Sequence, residues 1–157
     1  MQLDDIPKEE ANSKFWLIDR DGLLTKELQY QGKIRQGVEE FVRNDWKGSG
    51  SLLEVVKTVK PTVLIGCSTK AGAFTEDVIK AMKEGCDRPI ILPLSNPSKL
   101  IEVTPEDCLK WTEGKALIAT GSPFPSVKVN EKEIERVLHS IVNRKLLTIL
   151  QYCGVQQ

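Results

Sequence analysis

The sequence predicts an α/β fold built on a parallel sheet. Short apolar runs recur at intervals of roughly 25 residues, and segments of helical pattern separate them, which is the arrangement of successive βαβ units. The runs are continuously apolar rather than alternating, as expected for strands that are covered on both faces. A chain of 157 residues is long enough for one domain with a core of its own.

The first predicted strand covers residues 15–18 and closes in a turn rich in Asp and Gly at residues 19–22. Residues 31–50 are charged and punctuated by glycine, with a weakly helical middle, and we expect them to be exposed. Ser51 is placed to cap a helix whose apolar residues extend over 52–59.

The later elements alternate between strand and helix. Thr75 is predicted to cap a helix, and Thr104 followed by Pro105 is a strong helix start. The other predicted elements are strands at residues 62–65, 89–94 and 116–119, and a last helix from Glu131 with Ile134, Val137, Leu138, Ile141 and Val142 at helical spacing.

Composition excludes several classes of protein. Lys and Arg number 22 and so do Asp and Glu, without a long run of one sign, which argues against binding to nucleic acid or to a membrane surface. No apolar run approaches the roughly 18 residues of a membrane span. The four cysteines are scattered and His139 is the single histidine, so neither a metal cage nor a disulfide framework is expected.

All four predicted strands end in small or polar residues. Ligands of open parallel sheets bind beyond the carboxyl ends of the strands, so the four ends together predict the floor of a ligand site. A polar loop is also the ordinary way to leave a strand, and this reading stays open for each end alone. The ends are Asp19, Gly66-Cys67-Ser68, Ser95-Asn96 and Thr120-Gly121-Ser122.

Asp19 is the most specific of these residues. A carboxylate at the end of the second strand of a dinucleotide-binding sheet accepts hydrogen bonds from ribose hydroxyls. The glycine fingerprint that binds the pyrophosphate should then lie about 20 residues upstream, and the residues before Asp19 contain no glycine. Either Asp19 is a turn residue, or the first βα unit is missing from this chain.

The loop that begins at Gly66 has two readings. Small residues there would let a ligand approach the backbone, and a tight strand-to-helix connection would also need them. Cys67 has no histidine near it in sequence, so we expect a packed thiol rather than a nucleophile.

Three segments together resemble the NAD-binding domain of malic enzymes, especially the fungal and bacterial NAD type. They are "FWLIDRDGLL", "VKPTVLIGCSTKAGAFTEDVIKAM" and "RPIILPLSNPSKLIEVTPEDCLKWTEGKALIATGSPF". The likeness covers residues 12–129, which leaves a polar segment, 1–11, and a divergent segment, 130–157, predicted as helix. The resemblance implies a Rossmann-like, doubly wound parallel sheet that is incomplete, because the first βα unit with the glycine loop is missing.

The resemblance also implies roles for single residues. Asp19 would face the adenosine ribose, and Gly66, Cys67 and Ser68 would line the dinucleotide. Asn96, in the turn that begins at Ser95, would lie beside the nicotinamide ribose and the malate. Pro97 would keep the preceding residue extended and so present the amide. The neighbouring strand exit would be Gly121-Ser122-Pro123-Phe124.

The family reaction is the oxidative decarboxylation of L-malate to pyruvate and CO₂, with hydride transfer to NAD and a divalent metal, Mg or Mn. The tyrosine, the lysine and the metal carboxylates of the family lie upstream of the matching region, so no catalytic or metal-binding residue is assigned here. We expect the isolated chain to be inactive. The alternative is a non-catalytic nucleotide-binding or interaction module derived from a malic enzyme. Another Rossmann dehydrogenase is disfavoured by the Ser-Asn-Pro and Gly-Ser-Pro-Phe pair.

The resemblance predicts the dinucleotide as partner, together with L-malate in the full-length family, and a homo-oligomer. Asp19 would repel a 2′-phosphate and so favours NAD, whereas Arg20 could contact such a phosphate, so NADP stays open. Family members occur in the mitochondrial matrix and in the cytosol, and no targeting segment is recognised in this chain.

Overall fold

The structure, a computed structural model, describes residues 7–129 and 132–134. The described residues fall into two compact units that divide between Val55 and Val56. The helix α3, which covers Leu52–Val59, spans this division. Ser51 caps it as predicted, since the Ser51 Oγ accepts a hydrogen bond of 3.3 Å from the Glu54 N–H.

The first unit contains short elements only. They are helix α1 (Lys8–Ser13), strands β1 (Ile18–Asp19) and β2 (Gly22–Leu23), helix α2 (Lys26–Tyr30) and a 3-10 turn at Glu39–Phe41. The weak helical pattern predicted in the middle of residues 31–50 corresponds to that 3-10 turn.

The prediction that residues 15–18 form a strand of the parallel sheet was wrong. Strand β1 pairs antiparallel with β2, in a sheet separate from the parallel one. Gly22 allows the chain to turn back between β1 and β2, because its φ of +108° is a backbone conformation that residues with a side chain rarely adopt. Beyond the turn, the Leu23 N–H donates to the Gly50 carbonyl at 2.9 Å, and the Leu24 N–H donates to the Leu17 carbonyl at 2.9 Å. Local pairing therefore satisfies the backbone of this segment.

Arg43 organises the remainder of the first unit. Its guanidinium lies 3.9 Å from the centroid of the Trp16 ring, donates to both carboxylate oxygens of Asp45 at 2.9 and 2.7 Å, and donates to the Ser13 carbonyl at 2.9 Å. Trp16 and Trp46 meet edge to face, with ring centroids 5.7 Å apart. The Arg43 guanidinium, stacked on Trp16 and paired with Asp45, thus stabilises part of the segment 31–50, which the sequence predicts only to be charged and exposed.

The second unit contains the parallel sheet. Its strands are β3 (Val63–Gly66), β4 (Ile90–Pro93) and β5 (Leu117–Ile118), in the order β3-β4-β5. Val63 is in register with Ile90, which is in register with Leu117 on its other side. Three of the four predicted strands are therefore confirmed as neighbours. A sequential, parallel order is that of one half of a Rossmann sheet, and it fits an incomplete Rossmann-like domain.

Helices α4 (Glu76–Gly85) and α5 (Pro105–Trp111) connect the strands and supply much of the core. Five apolar side chains from these two helices and from β4 are at most 1% exposed: Ile79, Met82, Ile91, Cys108 and Leu109. Val56 of α3 is also 1% exposed. At the start of α5 the Thr104 Oγ1 accepts from the Asp107 N–H at 3.1 Å, which confirms the predicted cap. Thr75 is at the N-cap position of α4 but makes no capping hydrogen bond.

The end of the described chain is a hairpin. Strand β6 (Val127–Val129) pairs antiparallel with β7 (Lys132–Ile134). The helix predicted from Glu131 is therefore wrong for residues 132–134, whose backbone pairs with β6. The rest of that prediction lies outside the described residues. Within the described part of the chain, no helix is long and apolar enough to cross a membrane.

Candidate functional site

The carboxyl ends of β3, β4 and β5 meet at one edge of the sheet. The Leu94 N–H donates to the Gly66 carbonyl at 2.8 Å, one step beyond the last residue of β4. On the other side, a Cβ added to Gly121 would lie 2.5 Å from the Leu94 carbonyl oxygen. Only glycine allows this approach, so the exits of β4 and β5 are held in backbone contact.

The exits of β3 and β4 are joined by the carboxyl group of Glu102, a residue with 0% exposure. Its Oε1 accepts hydrogen bonds from the Ser68 N–H at 2.9 Å, from the Ser68 Oγ at 3.2 Å and from the Ser95 Oγ at 2.5 Å. Its Oε2 has no hydrogen-bond partner among the described residues. Glu102 is a residue that the sequence analysis missed. A charged residue inside the apolar stretch Leu100-Ile101-Glu102-Val103 is a signal that could have indicated it.

Ser95 is buried rather than turned to solvent. Its hydroxyl donates to Glu102 and accepts from the Thr69 N–H at 2.9 Å. Thr69 has a φ of +55°, a conformation that is uncommon for a residue other than glycine. The Ser95 side chain, predicted to bind cofactor, therefore contacts the protein itself and shapes the loop that follows β3.

Asn96 is exposed, as expected for an amide that faces a ligand. Its Oδ1 accepts a hydrogen bond of 3.1 Å from the Ser122 Oγ, which belongs to the exit of β5. The Asn96–Pro97 peptide bond is cis. Because Ser122 fixes the oxygen, the amide nitrogen can donate to a bound molecule.

Gly66 has a packing role in the structure. A Cβ added to it would lie 2.6 Å from the Glu102 Cδ and 2.8 Å from the Phe74 Cζ. The space that glycine leaves is thus filled by protein, which fits the tight strand-to-helix connection that the sequence analysis left open beside the approach of a ligand. Cys67 is half-buried and Ser68 is exposed, so both can contact a molecule at the sheet edge.

Asp19 and Arg20 belong to the first unit, where both are exposed. The Asp19 Oδ2 accepts from the Arg35 Nε at 2.9 Å and from its Nη2 at 2.7 Å, and the Oδ1 accepts from the Arg20 N–H at 2.8 Å. Partial burial raises the pKa of Asp19. The hydrogen bonds and the positive charge of Arg35 outweigh this effect, and the pKa lies below the usual range. Sequence reasoning missed Arg35 as a partner of Asp19.

The described residues do not fit a metal centre, since they contain no group of three His, Cys, Asp or Glu side chains placed to hold a metal ion. No step of a reaction is therefore assigned to a metal held by this part of the chain. The polar groups at the sheet edge are instead hydroxyls, amides and backbone N–H groups, which suit a ligand rich in hydroxyl and amide groups.

Comparison with known proteins gives a consistent result. The family described as "Malic enzyme, NAD binding domain" matches residues 1–137. The chain is 49% identical over 132 residues to NAD-dependent malic enzyme 3 of Bacillus subtilis, a match that covers 80% of this chain and 23% of that protein. It is 45% identical over 139 residues to the NAD-dependent malic enzyme of Proteus mirabilis, covering 84% of this chain and 24% of the relative.

The mitochondrial NAD-dependent malic enzyme of Saccharomyces cerevisiae is 49% identical over 124 residues, which cover 78% of this chain and 18% of that protein. The chain thus spans less than a quarter of the length of the curated relatives it matches. The breadth of the family match and the level of identity confirm the resemblance. The chain belongs to the malic enzyme family and carries part of that family's NAD-binding domain.

Proposed function

We propose that the edge formed by the ends of β3, β4 and β5 binds the nicotinamide half of NAD, in a protein that oxidatively decarboxylates L-malate to pyruvate and CO₂. The observation that carries this proposal is the exposed amide of Asn96, whose oxygen accepts a hydrogen bond from Ser122. An amide that is oriented in this way before the ligand arrives loses little conformational entropy on binding.

Each predicted residue has a part in the proposal. Asn96 donates to the nicotinamide ribose and to malate, while Gly66, Cys67 and Ser68 follow the dinucleotide along the end of β3. Ser95 contributes through the position of its loop. Bound NAD supplies the hydride acceptor, and the protein supplies orientation and hydrogen bonds.

Asp19 is proposed to contact the adenosine ribose, and Arg20 beside it would contact a 2′-phosphate if NADP were bound. The carboxylate of Asp19 is charged at neutral pH, as is usual for Asp. A fixed negative charge would accept hydrogen bonds from a ribose diol and repel a 2′-phosphate, which supports NAD over NADP. Arg35 already occupies one oxygen of Asp19, so a ribose would share this carboxylate with it.

The wider setting is part of the same proposal. The relatives are named as NAD-dependent malic enzymes, and the name of one of them says that it is mitochondrial, which supports the mitochondrial matrix as a proposed compartment beside the cytosol. A homo-oligomer and a divalent metal bound outside the described residues complete the proposed enzyme.

The test is a calorimetric titration of the protein with NAD, repeated with Asn96→Ala and with Asp19→Ala. Each change should weaken binding by about tenfold, which is the loss of one hydrogen bond to a polar ligand. Asn44→Ala and Asp87→Ala are the matched controls. Asn44 is an exposed asparagine, and Asp87 is an exposed carboxylate paired with Lys115 at 2.6 Å.

The controls should bind NAD as the unmodified protein does. If the folded protein does not bind NAD, the proposed function is wrong. If it binds NAD and neither Asn96→Ala nor Asp19→Ala weakens the complex, the site lies elsewhere.

A further inference from the structure

We infer that Glu102 is a positioning residue: its buried carboxyl fixes the loops that follow β3 and β4 in the arrangement that binds the dinucleotide. This inference rests on the proposed function. Glu102 is fully buried and therefore does not contact a ligand itself. Its effect on binding passes through the residues that donate hydrogen bonds to it.

The loop of residues 67–74 needs such a support because the sheet does not hold it. The ladder between β3 and β4 ends at the pair Gly66 and Pro93. From there on, the Ser68 N–H and hydroxyl donate to the Glu102 Oε1, at 2.9 and 3.2 Å. Hydrogen bonds to a carboxylate are stronger than those between neutral groups. Glu102 therefore holds the loop beyond the last backbone pair of the ladder.

Ser95 extends the effect of Glu102 to the next residue of the loop. The Ser95 hydroxyl donates to Glu102 and accepts from the Thr69 N–H at 2.9 Å. One carboxyl group therefore influences the position of three residues: Ser68, Thr69 and Asn96, which directly follows Ser95 in the chain.

The position of Glu102 is itself determined by the backbone. The Phe74 N–H donates to the Glu102 carbonyl at 3.0 Å, and the Gly72 N–H donates to the Ile101 carbonyl at 3.1 Å. The side chain also lies in the space left by Gly66. Because both its backbone and its side chain are held in place, Glu102 can fix the positions of the loops that follow β3 and β4.

Two substitutions separate hydrogen bonding from packing. Glu102→Gln keeps an oxygen that can accept the three hydrogen bonds of Oε1, and its amide nitrogen takes the place of Oε2, which has no partner in the described residues. Glu102→Met is of similar length and accepts no comparable hydrogen bond. Thr112→Val is the control for stability alone, because Thr112 is also 0% exposed and its hydroxyl donates to the Cys108 carbonyl at 2.8 Å, at the C-terminal end of α5.

Two measurements are made on each variant of the full chain: the Kd for NAD by calorimetry, and amide hydrogen exchange at Ser68 and Thr69. We expect Glu102→Met to raise the Kd by about tenfold or more and to accelerate both amides by about tenfold or more. Glu102→Gln keeps the acceptor oxygen but loses the charge, so it should raise both quantities by less than Glu102→Met does. Thr112→Val should lower the melting temperature without changing either quantity.

The inference is overturned if Glu102→Met binds NAD normally, or if its two amides exchange as in the unmodified protein. It is also overturned if Thr112→Val weakens NAD binding as much, because the effect would then be general instability. If Glu102→Met does not fold, Ser95→Ala replaces it, and acceleration of the Thr69 amide with weaker NAD binding is expected. Absence of NAD binding by the unmodified protein refutes the proposed function instead, and amide exchange alone then decides whether Glu102 positions the loops.

Discussion

Replacing Gly66 by alanine tests how tightly the end of β3 packs. The new Cβ would lie 2.6 Å from the Glu102 Cδ, 2.8 Å from the Glu102 Cγ and 2.8 Å from the Phe74 Cζ. Carbon atoms that are not bonded to each other are most stable at about 3.5–4.0 Å, so the neighbours must move by about 1 Å. Because Glu102 is hydrogen-bonded to Ser68 and Ser95, it cannot move without lengthening those bonds.

The expected cost is the sum of two effects. Overpacking in a well-packed core costs about 1–3 kcal/mol, and the weakening of one buried hydrogen bond adds about 1 kcal/mol. The free energy of unfolding should therefore fall by about 2–4 kcal/mol. For a chain of this size, that change lowers the melting temperature by about 5–15 °C.

The assay is urea unfolding, with a thermal melt as a second measurement. Gly72→Ala is the control, because a Cβ there meets no atom within 4 Å and the substitution costs only the strain of a φ of +69°, about 1–2 kcal/mol. In the double variant Gly66→Ala with Glu102→Ala, the overlap with Glu102 is relieved. The loss in free energy of unfolding of the double variant should therefore be smaller than the sum of the two single losses, by at least about 1 kcal/mol. Additive effects, or a Gly66→Ala protein as stable as the unmodified one, would refute this account of the glycine.

Two further predictions concern helix α5. Thr104→Ala should lower the free energy of unfolding by about 1 kcal/mol in urea titrations, since Thr104 caps the helix. Thr75→Ala, at an N-cap position of α4 without a capping hydrogen bond, should have a smaller effect. Equal losses in the two variants would contradict the role of Thr104 as a cap. Burial and the neighbouring Asp107 raise the pKa of the Cys108 thiol to about 12. In the native protein this thiol should therefore stay neutral and resist alkylation up to about pH 9, while half-buried Cys67 and Cys86 react. Peptide mapping after iodoacetamide treatment gives the comparison, and rapid labelling of native Cys108 would contradict the burial.

Local pattern was sufficient for the central sheet. The predicted runs at residues 62–65, 89–94 and 116–119 are mostly apolar, and all three form the parallel sheet. The expected burial of both faces is not seen throughout, because burial alternates along β3 and Val63 is 42% exposed. The start of α5 was predictable for a similar reason, because a capping threonine and a proline at the first helical position act within a few residues of each other.

The run at residues 15–18 shows where pattern was insufficient. A short apolar segment is compatible with either a parallel or an antiparallel neighbour, and the choice depends on which backbone groups lie close to it in space. Here Gly22 turns the chain back on itself and the Gly50 carbonyl accepts from Leu23, so an antiparallel pair forms. Residues 132–134 differ from prediction in the same way, since a helical spacing of apolar residues did not reveal their pairing with β6.

The sequence by itself determined the family, the parallel sheet and the exposed amide of Asn96, because each depends on residues that are adjacent or regularly spaced along the chain. The tertiary structure alone decided how the site is held together. Glu102 contacts Ser68 across 34 positions of sequence, and Asp19 contacts Arg35 across 16. No periodic pattern in the sequence predicts such pairs, because a hydrogen bond depends on the distance and direction between two groups in space. Only the folded backbone determines these.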